Sequence, residues 1–206
     1  MAIFYNDKEI TILDFNKRDK FSKDHPKLIQ DLIKYNSIKE ENIGNLGYIV
    51  REFLRSNPEI KRENFGNFYI KSGEELNTKK NKSFSDKLKY GRTIEDLLKI
   101  SSEFCRIYIE KENKEIPINA AFNALFYLIF DKTFYYIQNL KNFLDKNNYT
   151  LSSSDEYLNF NIDFFEKENE NIIRTYSFKT AQNQELLKQK LDIAKQLYDF
   201  NEAIIL

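Results

Sequence analysis

The stretch Asn77–Arg92, NTKKNKSFSDKLKYGR, concentrates residue types that grip phosphate. Lys79, Lys80, Lys82, Lys87, Lys89 and Arg92 stand against a single acid, Asp86, with Phe84 and Tyr90 interleaved. Such cations make sequence-independent, salt-sensitive contacts with a nucleic-acid backbone. Rings beside them stack on unpaired bases, each worth ~1–3 kcal/mol. These eight side chains form the candidate nucleic-acid-binding set, read as a basic loop or linker over residues 77–92 within a single domain of residues 1–206. The competing reading is a solvated lysine loop. Composition bears on the choice, because 25 of the 32 cations are lysine, and Lys, Asn, Ile, Phe and Tyr dominate the chain. That is the default output of an AT-rich genome, which points to a low-GC bacterium or its phage. A protein selected to fork phosphates would use more arginine.

Catalytic chemistry finds less to work with. His25 is the one imidazole in the chain, which removes multi-histidine metal sites and leaves a single candidate base for any triad. Cys105 falls on the apolar stripe of a predicted helix, where a buried, inert thiol is expected. Glu-x-Lys, the core of one Mg²⁺ nuclease pattern, occurs at Glu59–Lys61 and Glu112–Lys114. With 19 Glu and 25 Lys in 206 residues, that many matches arise by chance. Both lie at helix edges or in loops instead of on a strand. GNLG and YGR lack the spacing of a phosphate-binding glycine loop. Arg18 and His25, in RDKFSKDH, are spaced in a way that resembles the Arg–His ribonuclease motif of HEPN domains. That family projects the pair from a helical region late in a bundle. Here the two sit in a charged N-terminal connector before Pro26, so the resemblance is not adopted and His25 reads as a solvated histidine. No catalytic residue, metal ligand or cofactor is assigned.

Thirty-two cations balance thirty-two anions, so no global field draws the chain to a polyanion. Residues 51–100 are mildly basic, with twelve Lys/Arg against eight Asp/Glu, and residues 151–206 mildly acidic, with six against ten. A lone cysteine excludes an internal disulfide and fits a reducing compartment. The start MAIFYNDKEITILDF shows no basic region followed by an apolar one. The longest charge-free run, residues 116–130, falls short of the ~20 residues that span a bilayer. The expectation is a cytoplasmic protein without a membrane partner.

The elements that must position these residues predict an α+β, predominantly helical fold with five to six helices. Residues 2–15 read as an N-terminal β-hairpin. Pro26 opens a helix carrying Leu28, Ile29, Leu32 and Ile33, and Ser37 with Glu40 opens another that stops at Asn57-Pro58. A weaker helical or extended segment ends near Gly73. Thr93 and Asp96 cap a helix whose stripe is Ile94, Leu97, Leu98, Cys105, Tyr108 and Ile109. Residues 119–146 form the most apolar helix, greasy on nearly every face, which places it at the centre of the core or against a partner. A second β-hairpin is predicted near 157–179, from the alternation Leu158, Phe160, Ile162, Phe164 and then IIRTYSFKT. A helix over 181–200, using Leu186, Leu187, Leu191, Ala194, Leu197 and Tyr198, precedes an apolar tail. The two hairpins have the option of pairing into one sheet.

The aromatic surplus, 18 Phe and 13 Tyr, is mostly core material, yet tyrosine is an enriched interface anchor. Phe134, Tyr135 and Tyr136, with the tail residues Ile204, Ile205 and Leu206, form the candidate partner-binding face. The first-ranked expectation is a non-enzymatic interaction protein acting by occupying another protein or a nucleoprotein. Inhibitors, immunity proteins and phage antagonists of host defence are of this kind. Nucleic-acid binding through residues 79–92 ranks second, and a carboxylate- and metal-dependent nuclease third. The oligomeric state is open.

Overall fold

The computed structural model describes residues 4–5, 8–9, 26–35, 37–145, 149–177 and 184–205. A two-residue ladder, β1 (Phe4–Tyr5) with β2 (Lys8–Glu9), lies within the predicted N-terminal hairpin. Helical periodicity then yields α1 (Pro26–Lys34), a single turn α2 (Glu40–Ile43), α3 (Leu46–Ser56), α4 (Arg62–Thr78), α5 (Phe84–Lys89) and α6 (Ile94–Glu112). Next, α7 (Ile118–Phe126), a π-helical segment (Tyr127–Lys132) and α8 (Thr133–Leu144) run on without a break. The last third carries β3 (Tyr149–Leu151), α9 (Ser154–Phe160), β4 (Phe164–Glu168), β5 (Asn171–Ser177), α10 (Gln184–Tyr198) and β6 (Glu202–Ile205).

The fold is α+β and mainly helical, but the described residues hold more helices than the five to six predicted. Three short ones account for the difference. α2 is split from α3 by Gly44, whose φ of 82° interrupts the helix. α5 forms in the supposed basic loop and α9 in the supposed first strand of the second hairpin. Both are nucleated by capping boxes, Ser83 with Asp86 and Ser153 with Glu156. Each box answers two helix N–H groups that would otherwise lack partners, worth ~1 kcal/mol. α9 ends where Asn161 turns left-handed at φ 58°. The hairpin therefore begins at Phe164, and the alternation through Leu158 and Phe160 is not a strand. α4 also outruns its predicted end, because Gly73 is used for packing instead of termination. A Cβ there would strike the Arg92–Thr93 backbone, which crosses α4 at that point.

The four-stranded sheet has the order β3-β4-β5-β6, and β1-β2 stands as a separate ladder, so the two hairpins do not join among the described residues. β3, β4 and β5 are antiparallel, whereas β6 lies parallel to β5 with α10 as the crossover. The apolar tail is thus an edge strand. The sheet's two faces divide the core by period two. Phe164 and Tyr176 face the main core, which is built on α3, α4, α6 and α7–α8. Phe165 joins Ile162, Leu187, Leu191, Ala194 and Phe200 in a smaller cluster beneath α10. α10 buries only that stripe, leaving Leu186 and Leu197, predicted as core, exposed. On α6, Phe104 takes the central place and Ile109 is exposed.

The long helix behaves as its composition requires. Phe122, Phe126 and Phe130 stack along it with centroids 4.7 Å apart at each step, and Phe130 meets Tyr69 of α4 edge-on at 5.3 Å. Such pairs add ~0.5–1.5 kcal/mol each beyond area burial.

One buried ion pair joins the helices to the sheet. Arg51 of α3 is completely buried, with Nη2 2.9 Å from Asp163 Oδ1 just before β4. Its Nε donates to Ser152 Oγ at 2.9 Å, and Nη1 donates to Gly47 O at 3.0 Å and Tyr136 Oη at 3.1 Å. Nη2 also reaches the Ile162 and Asp163 carbonyls. The Tyr157 ring covers the guanidinium at 3.9 Å, and only glycine at position 47 leaves room for it. Removing one member of such a pair strands a buried charge at ~3–5 kcal/mol, while replacing both with apolar groups is far milder. Arg51→Met is therefore expected to lower unfolding free energy in urea by about that amount, and Arg51→Met with Asp163→Leu to recover most of the loss. Equal destabilisation by the single and double variants would contradict this account.

Candidate docking pocket and the basic segment

The basic segment is more ordered than a lysine loop. Asp86, the N3 residue of α5, accepts from Ser83 N at 3.0 Å and from Ser83 Oγ at 2.6 Å, and is ion-paired with Lys79. Lys79 also lies over the Tyr90 ring at 4.6 Å. Lys82 donates to Asn77 Oδ1, and Lys89 bonds Asp155 at 3.3 Å while lying over Tyr48. Arg92 is buried and donates to the carbonyls of Tyr90, Gly91, Glu41 and Lys87 at 2.6–2.9 Å. Its role is to lock α5 to α2, and burial pushes its pKa down. Lys80 and Lys87 stay exposed, as does Phe84, 63% accessible at the first position of α5. Lys89 and Tyr90 leave the loop altogether and line a polar groove of about 620 Å³ between α3 and α4, with Tyr48, Lys71 and Glu75.

The predicted aromatic face divides three ways. Phe134 is half-buried and packs on the main core. Tyr136 turns inward, its hydroxyl donating to Asp163 and accepting from Arg51. Tyr135 is 66% exposed. Ile204 packs on the core from the edge strand, Ile205 is exposed, and Leu206 lies outside the described residues. Arg18 and His25 also lie outside them. Cys105 is half-buried on α6, and burial raises its thiol pKa.

Tyr135 stands at the rim of a pocket of about 540 Å³ between two walls. One wall comes from the segment α1–α3, with Ile33, Ile38, Ile43 and Leu46; the other comes from the π segment and α8, with Leu128, Lys132 and Tyr136. Ile33, also 50% exposed, faces the same opening. The floor is polar but already engaged. Tyr136, Tyr157 and Asp163 line it and belong to the Arg51 cluster. Burial, followed by the Asp163 charge, drives the Tyr136 phenol well up and the Tyr157 phenol to about 12, so both remain neutral. An apolar mouth over a fixed polar floor, within ~300–1,000 Å³, is the usual form of a site that accepts an organic group. A run of π helix is rare and is often found at such sites.

Sequence reasoning reached Tyr135 through FYY but missed Ile33, assigned to the core, and the Arg51 cluster entirely. The one sequence signal for Arg51 is an arginine within the apolar run of α3, four residues after a glycine. Among the described residues, no group of three or more His, Cys, Asp and Glu side chains is placed to hold a metal ion, and no helix is long and apolar enough to cross a membrane.

Lys79 and both Ser83 donors hold the Asp86 carboxyl down at about 2. A depressed folded-state pKa gives stability that is present above the unfolded value and lost as pH falls through the folded one. Carboxyl NMR of the folded chain should show Asp86 titrating near 2 and α5 amides losing protection as it protonates; ordinary titration near 4 would mean that the segment is not ordered as described. Comparison with family models, curated proteins and solved structures finds no match to this chain.

Proposed function

We propose that the protein is a non-enzymatic interaction protein that seats an apolar side chain of a partner in the pocket beside the π segment. Inhibitors, immunity proteins and phage or host-defence antagonists act in this general manner. The observation that carries the reading is the convergence of Tyr135 and Ile33, both exposed, on the mouth of one cavity. Tyrosine is a frequent anchor at protein interfaces, offering a large rigid ring at small entropic cost. Replacing Tyr135 with benzoylphenylalanine should give discrete photo-adducts in the cells that express the protein, and the same probe at Lys188 on α10 should not. Ile33→Asp should lower the adduct yield about tenfold or more, as loss of an interface anchor does. Equal labelling from both positions, or indifference to Ile33→Asp, would remove the pocket from consideration.

The exposure of Phe84 favours a second reading, nucleic-acid binding. It does not anchor its segment to the core, and exposed Lys80 and Lys87 belong to the same segment. If these three side chains capture a single strand, fluorescence anisotropy should show salt-steep binding that Phe84→Ala weakens about fivefold to a hundredfold, matching one lost stacked base. Lys80→Gln with Lys87→Gln should flatten the salt slope by about 1.4, at ~0.7 per single-strand phosphate contact. Binding unchanged in these variants would assign any affinity to another surface.

A further inference from the structure

The two walls of the pocket carry opposite charges. Glu40 projects from the α2 side and Lys132 from the end of the π segment. Both are exposed, and neither enters an ion pair among the described residues. Glu40 accepts one hydrogen bond, from Asn45 Nδ2 at 3.0 Å, which leaves carboxylate oxygen capacity free. A partner of uniform charge would satisfy one wall and repel the other.

A two-fold axis resolves this without any new chemistry. In an isologous pairing residue i of one copy meets residue j of the other, and j meets i. Glu40 of each copy then faces Lys132 of its mate, so both charges are answered and the pair forms twice. The same operation brings an exposed Tyr135 from each molecule to the opposing mouth. Tyr135 and Lys132 also border a neighbouring depression of about 480 Å³, lined by Arg62, Tyr127, Asp131, Phe134 and Gln138, so the ridge they form has open space on both flanks. The chain's formal net charge of zero adds no repulsion between copies. Resting on the docking reading above, we infer that the occupant of the pocket is a second copy of this chain, in a two-fold dimer with Tyr135 seated in the mate's pocket and Lys132 paired with the mate's Glu40.

Sedimentation velocity on the full chain, from low to high micromolar, tests this directly. The wild type should dimerise with concentration. Glu40→Lys and Lys132→Glu should each weaken the dimer about tenfold or more, since each places like charges in both pairs. Mixing these two variants should restore association, because each then supplies the charge that the other needs; circular dichroism confirms that both are folded. Tyr135→Ala should weaken association with the charges intact. A wild type that stays monomeric, or a mixture that associates no better than its components, overturns the inference. In that event, photo-adducts from Tyr135 to a different protein leave the docking reading standing with another occupant. A monomer without adducts overturns both.

Discussion

The structure depends on burying one positive charge. Arg51 has no exposed surface, and a cation in that position is tolerated only because carbonyls, a serine, a tyrosine and Asp163 answer its donors. Those groups come from α3, α8, the β3–α9 connection and the residues just before β4, segments up to 112 positions apart. No one of these can move without leaving a charge or a polar group unanswered. The cluster therefore sets how the helical part meets the sheet. It is also the floor of the pocket, so the hydrogen-bonding capacity at the bottom is largely spent internally. What the pocket offers an outside group is its mouth, apolar at Ile33, Ile38 and Leu128 and charged at Glu40 and Lys132.

The long helix explains why the mouth lies where it does. From Ala121 to Phe130 side chains are buried on nearly all sides, and after the π segment burial narrows to Thr133, Ile137 and Leu140. The π segment marks the passage from an enclosed helix to one with a free face. Phe134 still reaches the core, Tyr136 reaches the ion pair, and Tyr135 between them is left facing outward. A greasy helix at the centre of the core and a greasy helix with an interface face are here two halves of one element.

In the basic segment the fold engages part of the local charge. Of six cations, Arg92 is spent on backbone carbonyls, and Lys79, Lys82 and Lys89 on side chains around α5. An arginine's rigid fork suits buried carbonyls as well as it suits phosphate, and nothing in the run of residues distinguishes the two uses. Lys80, Lys82, Lys87 and Phe84 are exposed, and of these Lys82 is bonded to Asn77, a smaller surface than eight side chains in a row.

Much of the secondary structure was legible because it is written in short-range chemistry. A capping pair at α6, proline at the start of α1 and three-four spacing in α3, α7–α8 and α10 acted over a turn or two. The expected pair Ser37 with Glu40 does not form, since Lys39 stands at the N-cap of α2 without a side-chain bond and Asn45 caps α3. The misses at α5 and α9 were legible in kind, since Ser83 with Asp86 and Ser153 with Glu156 follow the pattern already seen at Thr93 with Asp96. Strand alternation at 158–164 misled because a period of two over a few residues also fits a short helix followed by a turn. The site is a different matter. Tyr135 was visible as an aromatic but not as an exposed one, and the partner of Arg51 lies 112 residues away. Sequence alone determined the longer helical segments and which residues are available to a core. Only the tertiary structure decided which face of each helix is covered, which charges are consumed inside, and which aromatic is left outside, because burial is set by what packs across a gap and not by neighbours along the chain.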